Sequence, residues 1–374
     1  MSHQIIKGID TVYTPNAKKW AATWHGLETM TEEDKISFDG SNIPNVLNPM
    51  IECGLNPTLP EGMEINSELQ TELDSWKLIA ADCREGLSGK IHPVHIPREG
   101  YAIHQNSRMF ECMVQSAKTV LGAEGFEIVT AGTLDGYRQF FVSISIKGKD
   151  TFNVGNLSNG IADNYQTFFN LLSSHNGVHA SQFMQSYVRM VCMNTVQAAI
   201  KDSNTNGTNQ KVKHTKNSEE NITPESFAES LQQWTSDNES YKYQLLALKA
   251  EPMNLAQFKS FSAGVLSEEK SDKLSTNSAN RIDEMESLFV KGQGNSGESR
   301  YDALNAFTEF FTSGNGVGKK STASQKVARA NFGRGADWKN EAFRVLTDAE
   351  EFKKSSERGE MLLHDRDLLK AASN

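Results

Sequence analysis

The sequence predicts an α+β protein: a mixed or antiparallel β-sheet core with flanking helices and a helical C-terminal half. Three observations predict it. Two strand-like runs, FEIVTAGTL and YRQFFVSISI, flank Asp135-Gly136, the dipeptide that supplies positive φ at both centres of a type I′ hairpin turn. The segment SRMFECMVQSAKTVLG places apolar residues at helical spacing and ends on Gly122. From Thr223 onward apolar groups recur on helical faces, in Leu245 to Leu248, Leu255 to Phe261, Ile282 to Val290 and Tyr301 to Phe311.

Residues 1–100 read as an irregular, acidic N-terminal region packed on the core. Trp20 and Trp24 serve there as packing anchors, and Trp76 to Ile79 is a short strand or helix. IHPVHIPREGYAIHQN is extended, because a residue before proline favours β conformation. Residues 101–217 form the α+β core. Ser107 caps its helix, and Phe110, Met113, Ala117 and Leu121 line one face.

A two-residue hairpin loop would pair Leu134 with Tyr137 and put Val129, Ala131, Phe140, Val142 and Ile144 on the core face. The opposite face then carries Tyr137, Gln139, Phe141, Ser143, Ser145, Lys147 and Lys149, a mixed row open to a partner. Phe126, Ile128 and Phe141 also fit a sheet covered on both sides. A strand, a turn at His175-Asn176-Gly177, a strand to about Met190 and a helix through Ala199 follow, then the polar linker DSNTNGTNQ and KVKHTKN. Residues 218–374 are helical, starting with Thr223 as cap and Pro224 at the first helical position. Their last part, KKSTASQKVARANFGRGADWKNEAFR, reads as a helix, a turn at Phe332 to Gly335 and a second helix bearing a basic loop.

The chain has 374 residues, 37% hydrophobic and 23% charged, which suits a globular protein. No run approaches the roughly 20 apolar residues that span a bilayer, and the first 19 residues lack the apolar centre of a signal peptide, so a cytoplasmic protein is expected. The four cysteines are scattered without C-x-x-C spacing and read as small buried hydrophobes. A net charge of −9 argues against nucleic acid, but the charge is segregated. Residues 1–75 hold four Lys/Arg against twelve Asp/Glu, residues 126–216 eight against five, and residues 319–344 seven against two. That pattern fits an acidic shell and a basic track as well as ordinary fluctuation.

Catalytic motifs are weak. TSGNGVGKKST imitates a phosphate-binding loop, but Gly314 stands one residue too close to Gly318, and Lys320 occupies the place of the Mg²⁺-binding Ser or Thr. His92-x-x-His95 and His175-x-x-x-His179 have ligand-like spacing, yet no acidic or thiolate third ligand is near in sequence. No cofactor or metal is expected.

One series of motifs has a counterpart elsewhere. Trp24-His25-Gly26-Leu27, Tyr101 with Gln105-Asn106, Thr130-Ala131-Gly132, Ser174-His175-Asn176-Gly177, Arg189 to Thr195, His214-Thr215, Leu304 to Glu309 and Phe332 to Lys339 recur in this order. The series resembles a phage/plasmid-like protein family of unknown function, found in phages, prophages and plasmids. It departs at Asn176, where the family has Asp, so a carboxylate there is not essential. The resemblance implies DNA work in a prokaryotic cytoplasm, and the order of elements over residues 107–201 also looks like the core of phage single-strand annealing proteins.

The expected function is therefore binding of single-stranded DNA, with strand annealing in recombination or replication, by a homo-oligomer without hydrolytic chemistry. The expected contacts are Arg138, Lys147, Lys149, Arg189, Lys211 and Lys213 for phosphate, and Tyr137 or Tyr187 for base stacking. His214, Lys319, Lys320, Lys326, Arg329 and Arg334 extend the basic track, with Lys339 and Arg344 on the last helix. Two alternatives stay open: a module that inhibits a host defence or replication protein, and a metal-dependent nucleic-acid enzyme built on His175, His179 and a distant carboxylate.

Overall fold

The computed structural model describes residues 11–13, 49–55, 66–84, 90–134, 137–148, 151–157, 160–189, 194–197, 210–267, 271, 273–312, 329–330 and 333–373. The N-terminal tryptophans, Asp135-Gly136, most of the polar linker and the phosphate-loop imitation lie outside them. The architecture is α+β, with two antiparallel sheets and a helical C-terminal half.

The large sheet runs β1-β5-β6-β8-β9-β10. Its strands are β1 (Thr11–Tyr13), β5 (Phe126–Leu134), β6 (Gln139–Ile146), β8 (Ala162–Ser174), β9 (Ser181–Arg189) and β10 (Asn194–Gln197). β7 (Thr151–Asn156) shares an edge of β8 with β6, and β11 (Gln210–Val212) shares an edge of β9 with β10. The small sheet is β2 (Met50–Gly54), β3 (Lys77–Cys83) and β4 (Lys90–His95), with α1 (Ser67–Asp74) leading into β3. Pro93 lies on β4, an edge strand that can spare its amide donor.

The hairpin forms, but Leu134 pairs with Gln139, so the turn spans four residues instead of two. Tyr137 is drawn out of the ladder because its ring is 6% exposed among Met50, Ile79, Ala81, Cys83 and Val94 of the small sheet, at a φ of 63°. A two-residue shift keeps the alternation of faces. Phe140, Val142 and Ile144 therefore still face the core, with Ile128, Phe169, Leu171 and Phe183. Against them pack Met109, Phe110 and Met113 of α2 (Asn106–Leu121) and Phe227 and Leu231 of α3 (Pro224–Ala250).

The row expected to be open to a partner is not. Gln139, Phe141, Ser143 and Ser145 are all buried, so the sheet is covered on both faces. Ser143 donates to the Asn170 amide oxygen, and Asn170 Nδ2 donates to Ser186 Oγ at 2.7 Å, a polar ladder across three strands. The helix expected through Ala199 is replaced over 194–197 by β10, where Thr195 and Val196 favour a strand. Ser107 is not the cap of α2; the helix starts at Asn106 after Gln105, and Gly122 ends it at φ 79°.

The C-terminal half is α3, α4 (Leu255–Leu266), α5 (Thr276–Lys291), α6 (Arg300–Thr312), α7 (Arg334–Thr347) and α8 (Ala349–Ser373). Thr223 Oγ1 accepts from Ser226 N to cap α3, with Pro224 in the first turn. Phe258, Phe289, Leu304, Phe307 and Phe311 form a second core that also takes in Tyr165 and Tyr187 of the sheet. Tyr187 stacks on Tyr241 of α3 with ring centroids 3.8 Å apart. Beside them the Arg189 guanidinium grips buried Asp163 through two hydrogen bonds of 2.8 Å, and the Tyr301 hydroxyl of α6 donates to the same carboxylate at 2.7 Å.

α4 and α8 cross at glycines. A methyl group at Gly359 would penetrate the Ser260 carbonyl oxygen, and one at Gly264 the Ser355 carbonyl oxygen. Gly359→Ala gains up to about 1 kcal/mol of helix propensity. Forcing two backbones apart costs more, about 1–3 kcal/mol. The expected result is a lower urea midpoint at unchanged m value; a raised midpoint would show that the crossing is not tight.

Candidate functional site

Register gathers several of the predicted residues at one end of the large sheet. Gln139 lies opposite Ser174, Leu172 opposite Gln182, and Val212 opposite Ser181, so the β5–β6 turn, the β8–β9 turn and the end of β11 are neighbours. The small sheet sits on this end as a cap. The Tyr137 ring lies tilted against His92 with centroids 4.6 Å apart, Arg138 Nε donates to Val94 O at 3.3 Å, and His175 N donates to Arg138 O at 2.7 Å. Gly177, at φ 72°, lets the turn approach His95; an added Cβ would lie 3.1 Å from His95 Nε2. The Gln105 amide bonds both backbone groups of Met50, at 2.8 and 3.1 Å, and ties β2 to the start of α2.

Under the cap three histidines from three segments are buried together. His104 comes from the stretch between cap and α2, His175 from the β8–β9 turn, and His214 from the loop after β11. Tyr101, His214 and His104 stack in sequence, with centroid spacings of 4.8 and 4.0 Å, and His175 meets His214 edge-on at 6.2 Å.

One carbonyl orients their hydrogen bonds. Ala102 O can only accept, so His214 Nδ1 donates to it at 2.9 Å and His214 Nε2 is an acceptor. Ser181 Oγ, 3.3 Å away, donates to that nitrogen and receives His104 Nδ1–H at 2.7 Å. His104 Nε2 then accepts from Ser218 Oγ at 2.9 Å, and every member of the relay is satisfied. His175 Nε2 donates to Asn106 Oδ1 at 2.7 Å, which leaves a buried Nδ1 lone pair without a hydrogen-bond partner.

Burial pushes His104 down to about 3, and the neighbouring His214 adds to this. Burial, with His214 and His104 beside it, pushes His175 down to about 3 as well. Burial also lowers His214, partly opposed by its bond to Ala102. All three are neutral near pH 7.

The cluster is therefore a packing device more than a catalytic one. Ser181, His104 and Ser218 have hydroxyl-imidazole-hydroxyl order, but a base held near 3 takes up a serine proton poorly at neutral pH. Among the described residues no group of three or more His, Cys, Asp and Glu is arranged to hold a metal ion.

Solvent reaches the other side of this wall. A cleft of about 570 Å³ is lined by Glu52 and Lys77 of the cap, by Tyr101 and Gln105, and by Lys216 and Glu219. In the chain leading to Lys216, the alternation that starts in β11 points Val212 and His214 inward and Lys211 and Lys213 outward; Lys216 is also exposed. Lys211 and Arg334, from the start of α7, both act on the Asp337 carboxylate, and so does His179. This brings the C-terminal basic segment to the same end of the sheet.

Tyr137, Arg138, Lys211, Lys213, His214 and Arg334 thus converge, but only some face water. Tyr137 and His214 are sealed in packing and are corrected as stacking or phosphate contacts. Tyr187 and Arg189 are both 1% exposed and lie at the far end of β9, so they cannot touch a strand either. Lys147, at the far end of β6, is within 3.7 Å of Glu124. Arg329 is exposed beside Gly333, and Arg334 lies 5.4 Å over the Trp338 ring. Lys339 is fully buried, and Arg344 pairs with Glu341 and Glu351, which removes both from the basic face. Lys149, Lys319, Lys320 and Lys326 lie outside the described residues.

Sequence reasoning missed His104, Ser181 and Ser218. It also missed that His214 is buried, for which strand alternation was the available signal: if Val212 is in the core, His214 two residues on shares its face.

Residues 93–332 match the family described as a domain of unknown function, DUF932. No curated protein and no solved structure matches the chain. Among the described residues no helix is long and apolar enough to cross a membrane.

Proposed function

The chain belongs to the DUF932 family, and on that premise we propose that it binds single-stranded DNA at the capped end of its large sheet. Strand annealing during recombination or replication of a mobile element, in a prokaryotic cytoplasm, is the setting this reading adopts. The observation that carries it is the outward pair Lys211 and Lys213, each held by an inward neighbour, Val212 in the core and His214 in the histidine cluster. Cations carried on a fixed backbone suit a phosphate chain, because the segment that presents them is already placed before binding. Lys216, Arg138 and Arg334 border the same end and would extend the track.

The test is anisotropy of a labelled single-stranded oligonucleotide over a salt series, with particle mass from light scattering. Lys211→Ala with Lys213→Ala is expected to weaken binding and to reduce the slope of log affinity against log salt by about 1.4, at about 0.7 per lost single-strand phosphate contact. Unchanged affinity and slope would remove these residues, and no binding at low salt would remove the reading. A host protein co-purifying without nucleic acid would then favour the inhibitor alternative.

A further inference from the structure

We propose that the small sheet is an acid-released cap, detached from the end of the large sheet when the histidine seam beneath it takes up protons. The seam brings together His104, His175 and His214, three titratable rings from three segments that meet beneath the docked cap. His104 and Tyr101 ride on the stretch that leaves the cap. His175 and His214 belong to the platform, and the rings are 4.0 to 6.2 Å apart.

Protonation breaks the seam in two ways. His214 Nε2 and His104 Nε2 accept hydroxyl hydrogens in the satisfied relay, and an added proton opposes each bond. Two or three cations within this spacing also repel one another in a buried site.

The surroundings do not compensate. On the cap side the ionisable neighbours are His92, His95 and Glu99; on the loop after β11 they are Lys213, Lys216 and Glu219. The sheet turns add Arg138 and His179, and Tyr101 stacks directly on His214. Among the described residues no carboxylate acts on any of the three seam histidines; burial and mutual repulsion disfavour their charged forms, and only the Ala102 bond to His214 works the other way.

Further attachments of the cap cluster around the seam. Among the described residues they include the Gln105–Met50 pair, the Tyr137 ring, Arg138 on Val94, and Tyr101 donating to Ser174 O at 3.0 Å. Release would open the 570 Å³ cleft and uncover Tyr101 and Tyr137.

The experiment is pulsed hydrogen exchange of the full chain, read by mass spectrometry from pH 7.5 to 4.5 after correction for intrinsic exchange. Each seam histidine that must be protonated for opening contributes about tenfold per pH unit below its free value. Peptides covering 50–54, 77–83 and 90–105 are expected to lose protection by about 100-fold or more between pH 6 and 5, while 255–312 stays protected. His175→Asn should flatten that dependence by about tenfold per unit; a merely destabilising change would move the curve at constant slope. If the variant does not fold, the wild-type slope decides. A cap that stays protected to pH 4.5, a slope under tenfold per unit, or loss of protection everywhere in one step overturns the proposal. Nucleic acid takes no part, so the DNA reading can fail while this stands.

Discussion

Arg189→Ala is expected to destabilise the protein by about 3–5 kcal/mol, the usual consequence of stripping one partner from a buried ion pair. Arg189 is 1% exposed and Asp163 fully buried. The guanidinium bonds both carboxylate oxygens at 2.8 Å and also donates to Gln293 O at 3.2 Å and Asn295 Oδ1 at 3.3 Å. Its Cζ lies 5.0 Å from the Tyr301 ring centroid. Without it the Asp163 carboxylate keeps only the Tyr301 hydroxyl as donor in an apolar wall, and the loop between α5 and α6 loses its anchor on β9. Urea unfolding measures the effect, and Arg189→Met with Asp163→Leu should cost less than the two single changes together. A loss under about 1 kcal/mol would mean that the pair does not hold the helical half to the sheet.

Lys339→Met should have an effect of similar size and opposite sign. Lys339 is fully buried, its hydrogen bond goes to Thr312 Oγ1 at 3.3 Å, and burial lowers its ammonium from 10.5 to about 7. A displacement of that size corresponds to at most about 5 kcal/mol at neutral pH. Methionine fills the same volume without a charge, so a gain of about 3–4 kcal/mol is expected after the lost hydrogen bond. The pH dependence gives an independent check. Between about 7 and 10.5 the unfolded chain holds a proton here that the folded chain lacks, so stability rises with pH through that window. Wild-type protein should be more stable at pH 9 than at pH 7, by up to about 2–3 kcal/mol, and Lys339→Met should abolish that difference. Equal wild-type stabilities at the two pH values would show that Lys339 is charged and solvated in the folded state.

Both side chains show where sequence reading stops. Arg189 and Lys339 carry charge, and charge alone suggests a surface; only the fold brings Asp163, 26 residues away in sequence, to Arg189. The hairpin was readable because Phe140, Val142 and Ile144 alternate, and the α2 face because Phe110, Met113 and Ala117 recur at helical spacing. The hairpin register was not, since the ring that pulls Tyr137 from the ladder answers to a sheet some fifty residues earlier. Gln139, Ser143 and Ser145 looked solvent-facing by composition, yet a second cover buries them. At the candidate site, the alternation Lys211, Val212, Lys213, His214 was readable locally, whereas the meeting of His104, His175 and His214 depends on three segments spread over 110 residues of chain.

The pairing order of the large sheet also bears on synthesis. From β5 to β9 each ladder joins strands close in the chain, so these hairpins can zip up as they leave the ribosome. The Tyr301 hydroxyl that completes the Asp163 site arrives 138 residues later. Until then the nascent platform presents Tyr165 without its Tyr301 hydroxyl partner, with a carboxylate and a guanidinium partly wet beside it. A ribosome stalled between α3 and α6 would hold a sticky half-built sheet, the species that chaperones would meet first.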